Sequence, residues 1–110
     1  MPDHAPLSEP LFHILLSLVD GPRHGYGIIQ EVESRTSGAI RLGAGTLYSA
    51  IKRIRAAGWV EEVRPPTDDD PRRRYYGLTS VGRRVVRSEA RRLEALVKHA
   101  RAKRVLTRGA

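Results

Sequence analysis

The stretch Gly43–Gly58, GAGTLYSAIKRIRAAG, carries the side chains with the clearest chemistry. Plotted at the helical interval of about 100° per residue, Gly45, Ser49, Lys52 and Ala56 share one face, with Thr46 and Arg53 on one flank and Tyr48 on the other. Small residues let a helix approach a surface closely, while one Lys and one Arg offer donors to phosphate oxygens or guanine edges. The opposite face holds Leu47, Ala50, Ile51 and Ile54, the stripe by which a helix sits on a core. This is the construction of a helix that reads duplex DNA. A helix whose charges are merely solvated would show the same window, so the surrounding chain has to separate the two.

Two other groups of donors lie outside that stretch. Tyr26 falls in the first turn of a helix expected over Arg23–Ser37, where a hydroxyl and free backbone amides can meet a phosphate. A ring packed under the recognition helix is the competing reading. Arg72, Arg73 and Arg74 stand at the base of a returning strand, so alternate side chains point to both faces and one or two of them reach a phosphate backbone while another pairs locally. Asp68, Asp69 and Asp70 stand close by; DNA would repel them, which predicts a tip held out of the minor groove. Catalytic chemistry finds no comparable support. His4, His13, His24 and His99 have no metal-ligand spacing, no carboxylate pair or Ser/His/Asp set can be inferred, and GAGTLY lacks both the third glycine of a dinucleotide loop and the lysine of a P-loop. Neither an enzyme nor a metal or cofactor site is expected.

The elements that would position these donors follow from periodicity. Residues 1–6 form a polar, proline-bearing arm expected to be flexible. A helix then begins at Leu7 and stops before Gly21 and Pro22; Leu7, Leu11, Ile14, Leu15 and Leu18 make its stripe, and Phe12, Leu16 and Val19 widen it until only His13, Ser17 and Asp20 look polar. So much apolar surface needs covering on both sides, which points to a second copy of the chain, with Leu11, Phe12 and Leu15 as candidate contacts. After the second helix, Ala39–Leu42 alternates Ile40 and Leu42 inward with Arg41 outward, as a short strand would. Trp59, Val60 and Val63, the tip PPTDDDP, and Tyr75, Tyr76 and Leu78 compose a hairpin, or wing, with Trp59 as a core plug. From Thr79 or Ser80 a long helix puts Val85, Val86, Leu93, Leu96, Val97 and Ala100 on one side and arginines mostly on the other, losing the pattern after about Lys103. Its apolar side outruns anything a small domain can cover, so Val86, Leu93, Leu96, Val97 and Ala100 join the candidate dimer contacts.

The expected fold is therefore mainly α (α+β): a winged helix-turn-helix over residues 7–79, with a long C-terminal dimerisation helix and basic tail over 80–110. Charge agrees with a nucleic-acid partner. The net +8 over 110 residues is divided as −2 for residues 1–42 and +10 for 43–110. An anionic membrane is the runner-up partner for that charge. The longest apolar-rich segment, Leu11–Val19, is too short to cross a bilayer, and no basic region precedes an apolar run at the start. A soluble, cytoplasmic protein is expected, in keeping with the absence of cysteine.

The runs HGYGIIQEV (His24–Val32), GTLYSAIKRIRAAGWVE (Gly45–Glu61) and RRYYGLTSVGRRV (Arg73–Val85) closely resemble the PadR family of bacterial transcriptional regulators, over roughly three quarters of the chain. The resemblance implies a winged helix-turn-helix homodimer that represses transcription from a pseudo-palindromic operator in double-stranded DNA, paired through C-terminal helices, with DNA released in many members by a small-molecule effector. The short C-terminal part is similar to the single-helix subgroup. In family terms Tyr26, Thr46, Tyr48, Ser49 and Lys52 match positions expected at DNA, and Arg73 and Arg74 match the wing base; Arg53 joins them from the helix face above. Gly43 and Ala44 depart from the Ser-Pro type of start common before GTLY, which implies a weaker N-cap. The rival function is a nonspecific nucleic-acid-binding or architectural protein using its C-terminal helix, since residues 80–110 alone carry +8.

Overall fold

The computed structural model describes residues 4–106. Four helices and three short strands run in the order α1 (Glu9–Leu16), β1 (Arg23–His24), α2 (Gly25–Arg35), α3 (Ala44–Ala56), β2 (Val60–Val63), β3 (Tyr75–Leu78) and α4 (Ser80–Ala102). The strands make one antiparallel sheet in the order β1-β3-β2, with Val60 opposite Leu78 and Val63 opposite Tyr75 in the hairpin. This is the winged helix-turn-helix that the hydrophobic pattern implies. None of its helices is long and apolar enough to cross a membrane. Residues 1–3 of the expected arm and 107–110 of the basic tail lie outside the described residues.

Three of the four helices begin where a local side chain takes up a free amide. The Ser8 hydroxyl accepts from Leu11 N–H, His24 Nδ1 from Gly27 N–H, and Thr79 Oγ1 from Gly82 N–H. Only α3 starts without such a bond, at Gly43. α1 is shorter than its apolar run, because residues 17–20 continue as turns. Ser17, one of the three polar residues of this stretch, is fully buried, and its hydroxyl donates to the Ile14 carbonyl at 2.6 Å. Hydrogen-bonding to its own helix is what lets a hydroxyl occupy an apolar position.

The core is shared by α1 (Leu11, Ile14, Leu15), α2 (Ile28, Val32), α3 (Leu47, Ile51, Ile54) and the start of α4 (Val85, Val86), with Val60 and Tyr76 closing it from the hairpin. Leu11, Leu15 and Val86, expected at a dimer face, are thus consumed by the subunit's own interior. Phe12 and Leu16 are partly covered by the same cluster, so most of the wide apolar stripe of α1 is explained within one chain.

Two expectations about strands are corrected. Ala39–Leu42 has the right alternation, with Leu42 buried and Arg41 exposed toward Glu33 at 3.2 Å, but it is an extended connector without a ladder. The edge of β3 that it would have used is occupied by Arg23–His24, opposite Tyr76 and Tyr75. Alternating burial arises in any extended segment draped over a core; only a free backbone edge turns it into a strand. Arg72–Arg74 likewise precede β3 rather than opening it. They fan out from a turn in which Asp70 Oδ1 accepts from Arg72 N–H at 2.9 Å and Asp70 O from Arg73 N–H at 3.0 Å.

The junction of wing and α4 is set by a close backbone approach. Thr79 N–H donates to Trp59 O at 3.0 Å and Thr79 Oγ1 to Gly58 O at 2.5 Å, which brings the first turn of α4 onto the Trp59 peptide. A Cβ on Gly82 would overlap that carbonyl oxygen, a backbone atom that cannot swing aside. Gly82→Ala is therefore expected to lower stability by about 1–3 kcal/mol, despite alanine's better helix propensity. Chemical denaturation checks this, and a variant as stable as the parent would remove the contact from the fold's determinants.

Candidate nucleic-acid interface

The cationic side of the molecule is assembled from three elements. α3 seats Leu47, Ile51 and Ile54 in the core, and this rotation leaves Gly45, Thr46, Tyr48, Ser49, Lys52 and Arg53 exposed. α2 presents Tyr26 from its first turn with 62% of its surface open, so the ring is not packed under α3. The wing base brings Arg72, Arg73 and Arg74 alongside.

Two adjoining clefts run across this side. One, of about 440 Å³, lies between the α2 start and the wing base and is lined by His24, Gly25, Tyr26, Tyr48 and Arg72–Arg74. The next, of about 470 Å³, lies between α3 and the wing and is lined by residues including Tyr48, Lys52, Arg55 and Arg74. Tyr48 and Arg74 belong to both, so the two clefts form one continuous surface. Tyr48 reaches across to α2 because Gly25 has no side chain; a Cβ there would overlap the Tyr48 hydroxyl. Thr46, Ser49 and Arg53 line the opposite side of α3, in a groove against Ser8, Pro10 and Leu11 of the α1 region. The expected recognition residues therefore bracket α3 on both sides, with Lys52 facing the wing and Arg53 facing α1.

The ion pairs show which cations are already engaged. Arg72 is tied to Asp70 at 3.2 Å, Arg73 approaches Asp69 at 3.7 Å, and Arg74 and Arg55 approach the same Glu62 at 3.9 and 4.0 Å. Lys52 and Arg53 have no carboxylate within ion-pair distance among the described residues. The wing acids are structural. Asp69 accepts from the Tyr75 hydroxyl and from Asp70 N–H, and these bonds hold its carboxyl below the usual range, the phenol contributing most. The same bond pushes the Tyr75 phenol up. Asp70 is lowered by Arg72, first through the guanidinium and then through its backbone N–H. The pairs that Arg74 and Arg55 make with Glu62 are exposed and long, and a stronger anion can exchange for that carboxylate.

Two contributors to this surface, and one buried carboxylate that supports the fold, have no expectation in the sequence. Arg55 lies three residues after Lys52, a helical spacing that could have revealed it. His24 both caps α2 and meets Arg73 Nη1 through Nε2 at 3.0 Å, a contact no local pattern announces. Glu89, on the apolar side of α4, is 1% exposed and bonded to both Arg92 and Leu7 N–H.

The remaining candidates lie on α4. Leu96 is 52% exposed, Val97 is also exposed, and Leu93 and Ala100 are half-buried, so the apolar side of the second half of the helix is largely uncovered. Beside it, Arg83, Arg84, Arg87, Arg91, Lys98 and Arg101 are exposed.

Comparison with known proteins gives a concordant picture. The model of the transcriptional regulator PadR-like family matches residues 14–88. A 37.1 kDa protein of transposon TN4556 from Streptomyces fradiae is 39% identical over 83 residues, covering 76% of this chain. The chain spans 22% of the length of that relative and 64% of that of another, from Lysinibacillus sphaericus. Among solved structures, a transcriptional regulator from Clostridium thermocellum superposes with a TM-score of 0.70 at 25% identity, covering 84% of this chain and 89% of its own. Bacillus subtilis PadR, solved in complex with operator DNA, superposes with a TM-score of 0.63 at 18% identity, covering 73% of this chain and 45% of its own.

Proposed function

Because the chain belongs to the PadR-like family of transcriptional regulators, we propose that it binds an operator in double-stranded DNA as a homodimer and represses transcription there. The observation that carries this reading is the single surface shared by the α2 start, the front of α3 and the wing base, in which Tyr48 and Arg74 join two cationic clefts. α3 enters a major groove. Lys52 and Ser49 approach base edges; Thr46 and Arg53 work from the α1 side, and Tyr26, Tyr48, Arg73 and Arg74 hold phosphates. Two copies pair through the uncovered side of α4, Leu93, Leu96, Val97 and Ala100, with Phe12 at the margin. Pairing places two α3 helices in successive grooves about 34–36 Å apart, so the operator is a pseudo-palindrome. A small molecule seated between paired α4 helices would release DNA if it favoured a different spacing of the two α3 helices.

Selection of bound sequences from random duplexes with purified protein tests the reading. The expected product is one motif with two-fold symmetry, preferred by about 10³ or more over random DNA. Enrichment without a motif would support the alternative that the exposed arginines of α4 favour, a nonspecific nucleic-acid binder, and would overturn this one. Lys52→Ala is expected to weaken operator binding by about 1–3 kcal/mol and to relax preference at one position. A uniform loss across all sequences in the same binding assay would reassign Lys52 to a phosphate.

A further inference from the structure

We propose that His24 is a ligand for a DNA backbone phosphate, donating from Nε2 to the same phosphate that Arg73 grips, an assignment that rests on the DNA-binding reading above. His24 Nδ1 accepts from Gly27 N–H at 3.0 Å. A lone pair at Nδ1 leaves the proton of the neutral ring on Nε2. That nitrogen faces Arg73 Nη1 at 3.0 Å, and a guanidinium has donors only. Two N–H groups therefore confront each other with no acceptor between them.

The imidazole is the fixed member of the pair. Its cap holds one edge, and its plane meets the Tyr75 ring at 89° with centroids 5.3 Å apart. Arg73 is exposed, and its nearest carboxylate, Asp69, lies at 3.7 Å and is already engaged by Tyr75 and Asp70 N–H. An oxyanion entering the cleft resolves the conflict by accepting from both groups. A phosphodiester suits it: one free oxygen takes His24 Nε2–H and the other takes the Arg73 fork. Protonating His24 would not serve, because a ring that donates from both nitrogens loses the cap on α2. His24 therefore adds a hydrogen bond without a charge, which distinguishes it from Arg73 in salt dependence.

The test is titration of the selected operator with full-length protein over a range of salt. His24→Asn and His24→Ser both retain a capping oxygen, but neither carries an N–H as far out along the side chain as Nε2. Each is expected to keep the parent's thermal midpoint while binding about tenfold more weakly. The slope of log Kd against log salt stays unchanged for them, whereas Arg73→Ala makes it shallower by about one. The double variant His24→Asn with Arg73→Ala binds no worse than about the Arg73→Ala single variant, because one phosphate is lost only once. Parent-like affinity in both His24 variants, or losses that multiply in the double variant, would overturn the assignment while leaving operator binding intact. A parent that binds no duplex overturns the broader reading as well. Inorganic phosphate, which offers the same pair of acceptor oxygens, is expected to shift the His24 ring resonance of the DNA-free protein and to leave it in place in Arg73→Ala; a parent ring that phosphate does not shift would show that the two donors share no anion and would overturn the assignment.

Discussion

Replacing Leu96 and Val97 together by Glu is expected to leave a folded monomer with operator affinity lower by about 10² to 10⁴. Folding is spared because Leu96 is 52% exposed and Val97 39%, both beyond the last turn of α4 that the domain buries. Pairing fails because two carboxylates per chain would be desolvated against their counterparts. Affinity then falls because each half-site must be bound as a separate event. Light scattering and operator titration on the same sample check both halves of the expectation. A variant that still dimerises and still binds would move the interface elsewhere on the chain. Leu11, Leu15 and Val86 are unsuitable for this test: they lie in the core, and substituting them would unfold the subunit before its association could be read.

The largest expected loss of stability comes from Glu89→Ala, at about 3 kcal/mol, the lower end of what removing one member of a buried pair costs. Glu89 holds Arg92 through two bonds of 2.8 Å and Leu7 N–H at 3.1 Å, linking α4 to the segment that enters α1. The lower end applies because the Arg92 side chain stays 27% exposed and recovers part of its hydration. The Arg92 guanidinium, ahead of the Leu7 amide, holds the Glu89 carboxyl below its ordinary value of 4.5 even though burial opposes this. A group lowered by folding stabilises fully above its unfolded value, and that contribution disappears as pH falls through the folded one. The parent should therefore lose stability below pH 4.5, and Glu89→Ala should lose less over the same acid range. Denaturant titrations at several pH values decide the matter, and parallel acid limbs for the two proteins would show that the pair does not titrate with folding. Asp69 and Asp70, also lowered, add to the acid limb in both proteins and cancel from the comparison.

Much of the domain was legible without coordinates because each helix carries its own record. The stripe Leu47, Ile51, Ile54 gave the rotation of α3, and the pair Thr79 and Ser80 marked the start of α4, with Thr79 the residue that caps it. The Asp-rich tip marked where the hairpin turns. Errors gathered where a pattern had more than one physical cause. Ile40 and Leu42 alternate because a connector crosses the core, and a two-residue strand such as Arg23–His24 is too short to show any period. The burial of Ser17 left no trace in composition, because it rests on a hydroxyl's private bond to its own helix. Arg72–Arg74 read as strand because their neighbours are one, whereas Asp70 bends the backbone just before them.

By itself the order of residues determined the two-faced α3, the wing, the long amphipathic α4 and the excess of positive charge, all properties set within a few turns or strands of chain. Tertiary structure decided which edge β3 offers and to whom, that Gly25 makes room for the Tyr48 hydroxyl, and that α1 buries most of its own apolar width. It also paired His24 with Arg73 and Leu7 with Glu89, partners 49 and 82 positions apart. Periodicity tells a side chain which way to face, since that follows from local backbone geometry. What it meets there depends on how distant segments pack.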